Sequence, residues 1–192
     1  MNTKVKPFDS VVIVGFGDIG RRVAAIWQEK ELNVSGLARS AESEQDMLAH
    51  NITPIRANLA EPDSLNNLPL QQALVYYFAP PPRHGQSDTH VENFLAAINE
   101  NNLPARIVAI STSGVYGDCR GALVNEETPT NPQVDRARRR LDMEQQLRAW
   151  GRTLLPKPIV YTPMTLRRYV LLRPAKVWLI TFIMSVMDVK AT

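Results

Sequence analysis

The sequence predicts an α/β protein built on a doubly wound parallel sheet, and three observations predict it. Short runs rich in valine and isoleucine recur as far as residue 111, separated by segments with helical spacing. The first run, "SVVIV" at 10–14, is apolar almost throughout, as a strand buried on both faces of a sheet must be. It ends in "GFGDIG" at 15–20, three glycines spaced two and three apart, and leads straight into a helical pattern. Strands and helices alternating at this interval imply crossover connections and parallel pairing.

Each element follows in order. After the first strand, 18–30 places Ile19, Val23, Ile26 and Trp27 at helical spacing. A second strand is expected at 32–37 and a second helix at 41–50. "ITPIRANL" at 52–59 reads as a third strand with its exit. "ALVYYFAPPP" at 73–82 is a fourth strand, stopped by three prolines that lack the donor a continuing ladder needs. An amphipathic helix is predicted over 88–101, with Val91, Phe94, Leu95 and Ile98 on one face. "RIVAIS" at 106–111 is the fifth strand. Residues 117–134 are polar with Asn-Pro and Thr-Pro pairs and read as a loop. "QVDRARRRLDMEQQLRAW" then resumes helical spacing through Ala137, Leu141, Met143 or Glu144, and Leu147. His84 and His90, beside the proline-ended loop, read as polar turn residues, and Trp27 and Trp150 as packing residues.

Composition narrows the function classes. A chain of 192 residues with 44% hydrophobic and 21% charged residues has the make-up of a globular domain with one sizeable core. The net charge is only +3, so the basic pI gives no case for nucleic acid. The single cysteine, Cys119, can form no internal disulfide and anchors no metal cluster, which fits a reducing cytoplasm. The N-terminus lacks the apolar run of a signal peptide. "VWLITFIMSVM" at 177–187 is apolar but falls short of the about 20 residues needed to span a bilayer, so no membrane role is expected.

The glycine turn carries the chemistry. In such a turn the first glycine allows the tight bend, the second lets a pyrophosphate approach the backbone, and the third lets helix and strand pack closely. Gly15, Gly17 and Gly20 occupy those places, with Asp18 and Ile19 supplying amides at the helix start. Dinucleotide binding is the expectation. Beyond the second strand, "GLARSAESE" offers Arg39 and Ser40 and no carboxylate until Glu42. An acidic residue there would accept from a ribose 2′-hydroxyl, whereas an arginine accommodates a 2′-phosphate, so NADP is favoured over NAD.

With "STSGVYGD" at 111–118 following the fifth strand, the chain resembles an atypical or extended short-chain dehydrogenase/reductase of the NAD-dependent epimerase/dehydratase kind. "VVIVGFGDIG", "LARS", "YYFAPPP" and "RRRLDMEQQL" fall in the family order, and the resemblance covers roughly residues 10–150. It implies a Rossmann fold, a nicotinamide cofactor, a small-molecule substrate and oxidoreductase chemistry. Thr112 matches the family's catalytic Ser/Thr, and its neighbours Ser111 and Ser113 are placed to share that task. Arg39 and Ser40 match the adenosine-phosphate end. Asn58, followed by Leu59, stands where many relatives carry an aspartate beside the adenine, and Ala79 and Pro80 match the loop lining the nicotinamide side.

One departure is decisive. The family's proton donor is a Tyr with a Lys four residues later, yet aligning Glu144 with the family's helix glutamate puts Arg136 and Arg140 in those places. No Tyr occurs between Tyr116 and Tyr161. Arginine stays protonated at ordinary pH and cannot relay a proton as a phenol does. Arg140 is left to supply positive charge, while "RARRR" at 136–140 as a whole reads as the solvated face of a helix. The expected reaction, hydride transfer at a carbon bearing a hydroxyl or carbonyl, therefore competes with two other readings. One is a non-catalytic module that senses dinucleotide or binds a partner; the other is a degraded gene product.

The expected division is a dinucleotide-binding domain at 1–150 and an off-family tail at 151–192, leaving the sheet incomplete at its C-terminal end. Only one carboxylate, Asp188, occurs after Glu144, while prolines and apolar residues accumulate. One explanation of the shift is a reading-frame change near residue 152. Joining the third base of each codon to the next two, residues 157–165 accommodate Thr-Asn-Arg-Ile-His-Ala-Asp-Asp, and 180–188 an ending like Tyr-His-Val-Ser-Asp-Gly, both similar to family segments. An edge left open by a truncated sheet predicts a replacement strand at 157–162, or a helix or homo-oligomer contact from the apolar run at 177–187.

Overall fold

The structure, a computed structural model, describes residues 8–125, 127–154 and 183–186. Six strands form one sheet: β1 (Ser10–Val14), β2 (Asn33–Ala38), β3 (Thr53–Arg56), β4 (Ala73–Tyr77), β5 (Arg106–Ile110) and β6 (Ile183–Val186). Four helices accompany them: α1 (Asp18–Gln28), α2 (Ala41–Ala49), α3 (Thr89–Ala96) and α4 (Asp135–Leu154). The sheet order is β3-β2-β1-β4-β5-β6, with β1 to β5 all parallel. Order reverses between β1 and β4, and the crevice of a doubly wound sheet opens at that switch point.

Residue alternation along β1 divides the core in two. Val11 and Ile13 join Ala24 of α1, Val34 of β2 and Met47 of α2 on one face. Val12 and Val14 point the other way, into a cluster with Val75, Tyr77, Phe94 and Leu95, and with Met143 and Leu147 of α4. All four β1 residues are essentially inaccessible, and burying each such side chain stabilises the fold by roughly 1.5–3 kcal/mol. A strand covered on both faces has no room for a polar position, which is why "VVIV" runs unbroken.

Several details differ from expectation. Ile19 and Ile26 are 40% and 50% exposed, and α1 instead buries Gly20 and Ala24. Helix α3 stops at Ala96 rather than continuing to residue 101, because the asparagines beyond it capture the backbone. Asn102 donates from Nδ2 to the Ala97 carbonyl, and Asn99 N donates to Asn102 Oδ1.

The sixth position in the sheet, left open by the sequence, is taken by β6, which pairs antiparallel to β5 with Ile110 opposite Ile183 and Ile107 opposite Val186. Part of the apolar run expected to be helical or to link copies is therefore an edge strand; the strand expected at 157–162 lies outside the described residues. Among the described residues no helix is long and apolar enough to cross a membrane.

Candidate functional site

The site is built where β1 ends. Gly15 has φ +104°, and a Cβ there would lie 2.5 Å from the backbone nitrogen of Ala79. Only glycine permits both the conformation and the contact between the β1 and β4 exits. At Gly20 a Cβ would sit 2.8 Å from the Gly15 carbonyl oxygen, so this glycine lets α1 press against the turn. Gly17 is different: nothing lies within 4 Å of its would-be Cβ. Gly17 also caps α1 without offering a side chain, so the first amides of the helix, on Asp18, Ile19 and Gly20, are left for an external anion.

A cleft of about 660 Å³ opens over this turn. It brings together ten of the expected cofactor residues: Gly15, Gly17, Asp18, Ile19 and Gly20 from the turn, and Arg39, Asn58, Leu59, Ala79 and Pro80 from the later strand exits. The topology sets its two ends, with β2 and β3 on one side of the switch point and β4 and β5 on the other.

At the β2 end, Arg39 is exposed and forms no ion pair among the described residues. Its neighbours do: Arg21 meets Asp46 at 2.8 Å, Arg22 meets Asp18 at 3.1 Å, and Arg56 meets Glu44 at 2.6 Å. Ser40 does not line the cleft. Its hydroxyl caps α2 by accepting from the Ser43 amide at 3.3 Å, and Ser43 is the serine facing the cleft. The Asn58 side chain also has local partners, donating to Glu61 Oε1 at 2.7 Å and accepting from Ala60 N at 3.1 Å. Both polar atoms of the side chain expected beside the adenine are thus engaged in the turn after β3.

At the β4 end, the cleft is walled by Phe78, Ala79, Pro80, His90 and Ile110. Behind this wall lies a buried polar cluster. Arg140 donates from Nη2 to the Ala79 carbonyl at 3.0 Å, and Arg139 donates from Nη1 to the Gly85 carbonyl. Arg139 and Arg140 are both buried, and only Arg136 and Arg138 on this stretch are exposed. The expected solvated face is therefore wrong for half of these arginines. The cause is that the β4–α3 loop presents backbone carbonyls, and two guanidiniums of α4 reach them.

Asp88 is fully buried and caps α3 by accepting from the Val91 amide at 3.3 Å. Burial raises its carboxyl above the usual range, against a lowering pull from the Val91 amide and from Arg140. Burial also lowers Arg140, while Asp88 opposes that shift. The Tyr77 phenol is pushed up by burial and by Asp88. Tyr77 Oη, Asp88 Oδ2 and Arg139 Nε are buried without a hydrogen-bond partner among the described residues.

The expected catalytic pair is not part of the cleft lining. Neither Thr112 nor Ser113 lines it, although Ile110 does. Thr112 Oγ1 accepts from the Gly114 amide at 3.3 Å and caps a 3₁₀ turn at Ser113–Tyr116. Ser111, expected to share their task, donates instead to the buried carboxylate of Glu144, which also meets Arg148 at 3.3 Å. The cleft residues that the sequence did not single out are Phe16, Ser43, Met47, Phe78, His90 and Ile110 among others. Of these, His90 had a legible signal: it opens the helix that follows a proline-stopped strand, and such helices return the chain beside the strand exit.

Fold and turn together define a dinucleotide-binding protein of the Rossmann type. Over residues 15–151 the chain matches the NAD(P)H-binding family, and it belongs to that family. Among solved structures it is similar to a UDP-glucose 4-epimerase from Thermus thermophilus in complex with NAD, at 17% identity and TM-score 0.59, covering 75% of this chain and 51% of that one. A UDP-glucuronic acid 4-epimerase from Bacillus cereus, with NAD, gives 20% identity and TM-score 0.61, with 74% and 52% covered. A yeast methylglyoxal/isovaleraldehyde reductase complexed with NADPH gives 16% identity and TM-score 0.54, with 71% and 51% covered. The chain spans about half the length of these structures, and the likeness is one of fold. No curated protein matches the sequence.

Proposed function

We propose that the chain binds NADP in preference to NAD, through a domain at 1–150 that precedes an off-family tail at 151–192. The observation that carries this is the guanidinium of Arg39, which lines the same cleft as the glycine turn and forms no ion pair among the described residues. A 2′-phosphate is a dianion near neutral pH, and a guanidinium with no competing carboxylate is the side chain that suits it. The pyrophosphate would be held by the amides of Asp18, Ile19 and Gly20, the adenine half by the surfaces of Ser43, Met47, Asn58 and Leu59, and the nicotinamide half by Ala79 and Pro80. Ser40 would act from behind, by fixing the start of α2.

When bound, such a dinucleotide supplies hydride-transfer chemistry at a carbon bearing a hydroxyl or carbonyl in a small-molecule substrate. Thr112 and Ser113 would orient the substrate oxygen in that reaction. A specific observation favours a second reading, binding without turnover. Arg140, which stands where the family's Lys would be, is buried against Ala79 and does not line the cleft. Side-by-side titration with NADPH and NADH, followed by dinucleotide fluorescence, tests the first reading: NADPH should bind more tightly. Equal affinity would overturn the preference, and binding of neither by folded protein would overturn the dinucleotide assignment. Turnover of a carbonyl panel by protein that binds NADPH would decide against the purely binding reading.

A further inference from the structure

We propose that His90 makes the cleft discriminate between the reduced and oxidised dinucleotide, an inference that rests on the dinucleotide reading above. His90 is the second residue of α3, is half-buried, and lines the cleft at the β4 end with Ala79 and Pro80. The glycine turn at β1 fixes where a pyrophosphate sits, and Arg39 marks the adenosine side over β2. The other nucleotide half must then lie across the switch point, over the exits of β4 and β5, where His90 stands.

The imidazole is held in one orientation. Its Nδ1 lies 3.2 Å from the Pro80 carbonyl oxygen. A carbonyl only accepts, so Nδ1 is the donor in this contact. Across hydride transfer the nicotinamide ring changes by one unit of charge, cationic when oxidised and neutral when reduced, and the rest of the dinucleotide is unchanged. A protonated His90 therefore repels the oxidised form and leaves the reduced form untouched. At separations of several ångströms in a partly solvated cleft, one such repulsion is worth roughly a tenfold change in relative affinity.

The charged groups around His90 are few. Asp88 and Glu92 lie on its own helix, Asp88 close enough for the imidazole to lower its carboxyl. From α4, Asp142 accepts from the Asp88 amide and Arg140 reaches Ala79. Asp18 lies in the same cleft on the far side of the turn. Arg83 and His84, in the loop before α3, are exposed. The remaining histidine, His50, lies at the opposite end, its ring 6.0 Å from Phe16, and acts equally on both redox forms.

The test is the ratio of dissociation constants for NADP⁺ and NADPH, measured by calorimetry between about pH 8 and 6 on the full chain. In the wild type the ratio should rise roughly tenfold as pH falls. His90→Gln should hold it flat while still binding both forms, and His50→Gln and His84→Gln should keep the rise. Thermal melts confirm that each variant is folded. A wild-type ratio that does not move with pH, or a His90→Gln ratio that still does, overturns the inference and leaves dinucleotide binding standing. Failure of the folded wild type to bind either form overturns the dinucleotide reading itself, and the inference with it.

Discussion

Arg140 Nη2 donates to the carbonyl oxygen of Ala79 across 3.0 Å, from inside the protein. A side chain of α4 thereby fixes the backbone that closes the β4 end of the cleft. The same Ala79 nitrogen sits against Gly15, where a Cβ would approach to 2.5 Å. One residue thus joins the cofactor turn to the last well-packed helix. Both contacts depend on residues far apart in the chain, and four expectations follow from them and from their neighbours.

Arg140→Met should destabilise the fold by about 3 kcal/mol, since it removes a buried cation and leaves the Asp88 carboxylate without its compensating charge. Adding Asp88→Asn to Arg140→Met should cost much less than the two single changes summed, because the two groups share one electrostatic environment. Urea unfolding of the four proteins measures the coupling, and strict additivity would contradict it.

Stability and binding should separate at the glycines. Gly15→Ala should cost roughly 3 kcal/mol, combining a positive φ with a backbone clash. Gly17→Ala should leave stability within about 1 kcal/mol, because φ −97° suits alanine and the space is open. Its NADPH affinity should nonetheless fall roughly tenfold, about 1.4 kcal/mol, because the added methyl points into the space a pyrophosphate would use. Melting temperatures and NADPH titrations on the two variants check this directly.

Arg39→Asp should lower NADPH affinity by roughly 10- to 100-fold, the range expected when a charge-assisted hydrogen bond is replaced by repulsion. NADH affinity should hold or improve, since a carboxylate there accepts from a ribose hydroxyl. Because Arg39 is exposed and forms no ion pair among the described residues, the melting temperature should stay unchanged.

Asp88 should give the protein a pH-dependent component of stability with an unusual sign. Burial raises its carboxyl in the folded state, so the native protein holds the proton more tightly than the unfolded chain. This contribution grows as pH falls through the raised value toward the ordinary carboxylate value, and it fades as pH rises. The stability of the wild type relative to Asp88→Asn should therefore increase on acidification. Urea midpoints for both proteins across this range measure it, and a constant difference would refute the shift.

Much of this protein could be read from the chain alone. The parallel α/β class, the strands near 10, 33, 53, 73 and 106, and the glycine turn at 15–20 follow from local rules. Apolar runs bounded by glycine or proline must be buried strands, and glycines so spaced serve a close backbone approach. Ten of the expected cofactor residues meet in one cleft for the same reason: strand exits on one edge of a parallel sheet converge at its switch point.

What tertiary structure decided was which polar side chains face the cleft and which are spent inside. Ser40 was legible as a phosphate neighbour but serves as a helix cap, and Ser111 was legible as a catalytic partner but bonds Glu144. Arg139 and Arg140 lie in a run that looks solvent-facing, yet both are buried because loop carbonyls from β4 to α3 need donors. His90 looked like an ordinary turn residue and lines the β4 end of the cleft. Periodicity says which face of an element turns inward; only the packed fold says what an inward polar atom meets there, because its partner comes from a segment distant in sequence.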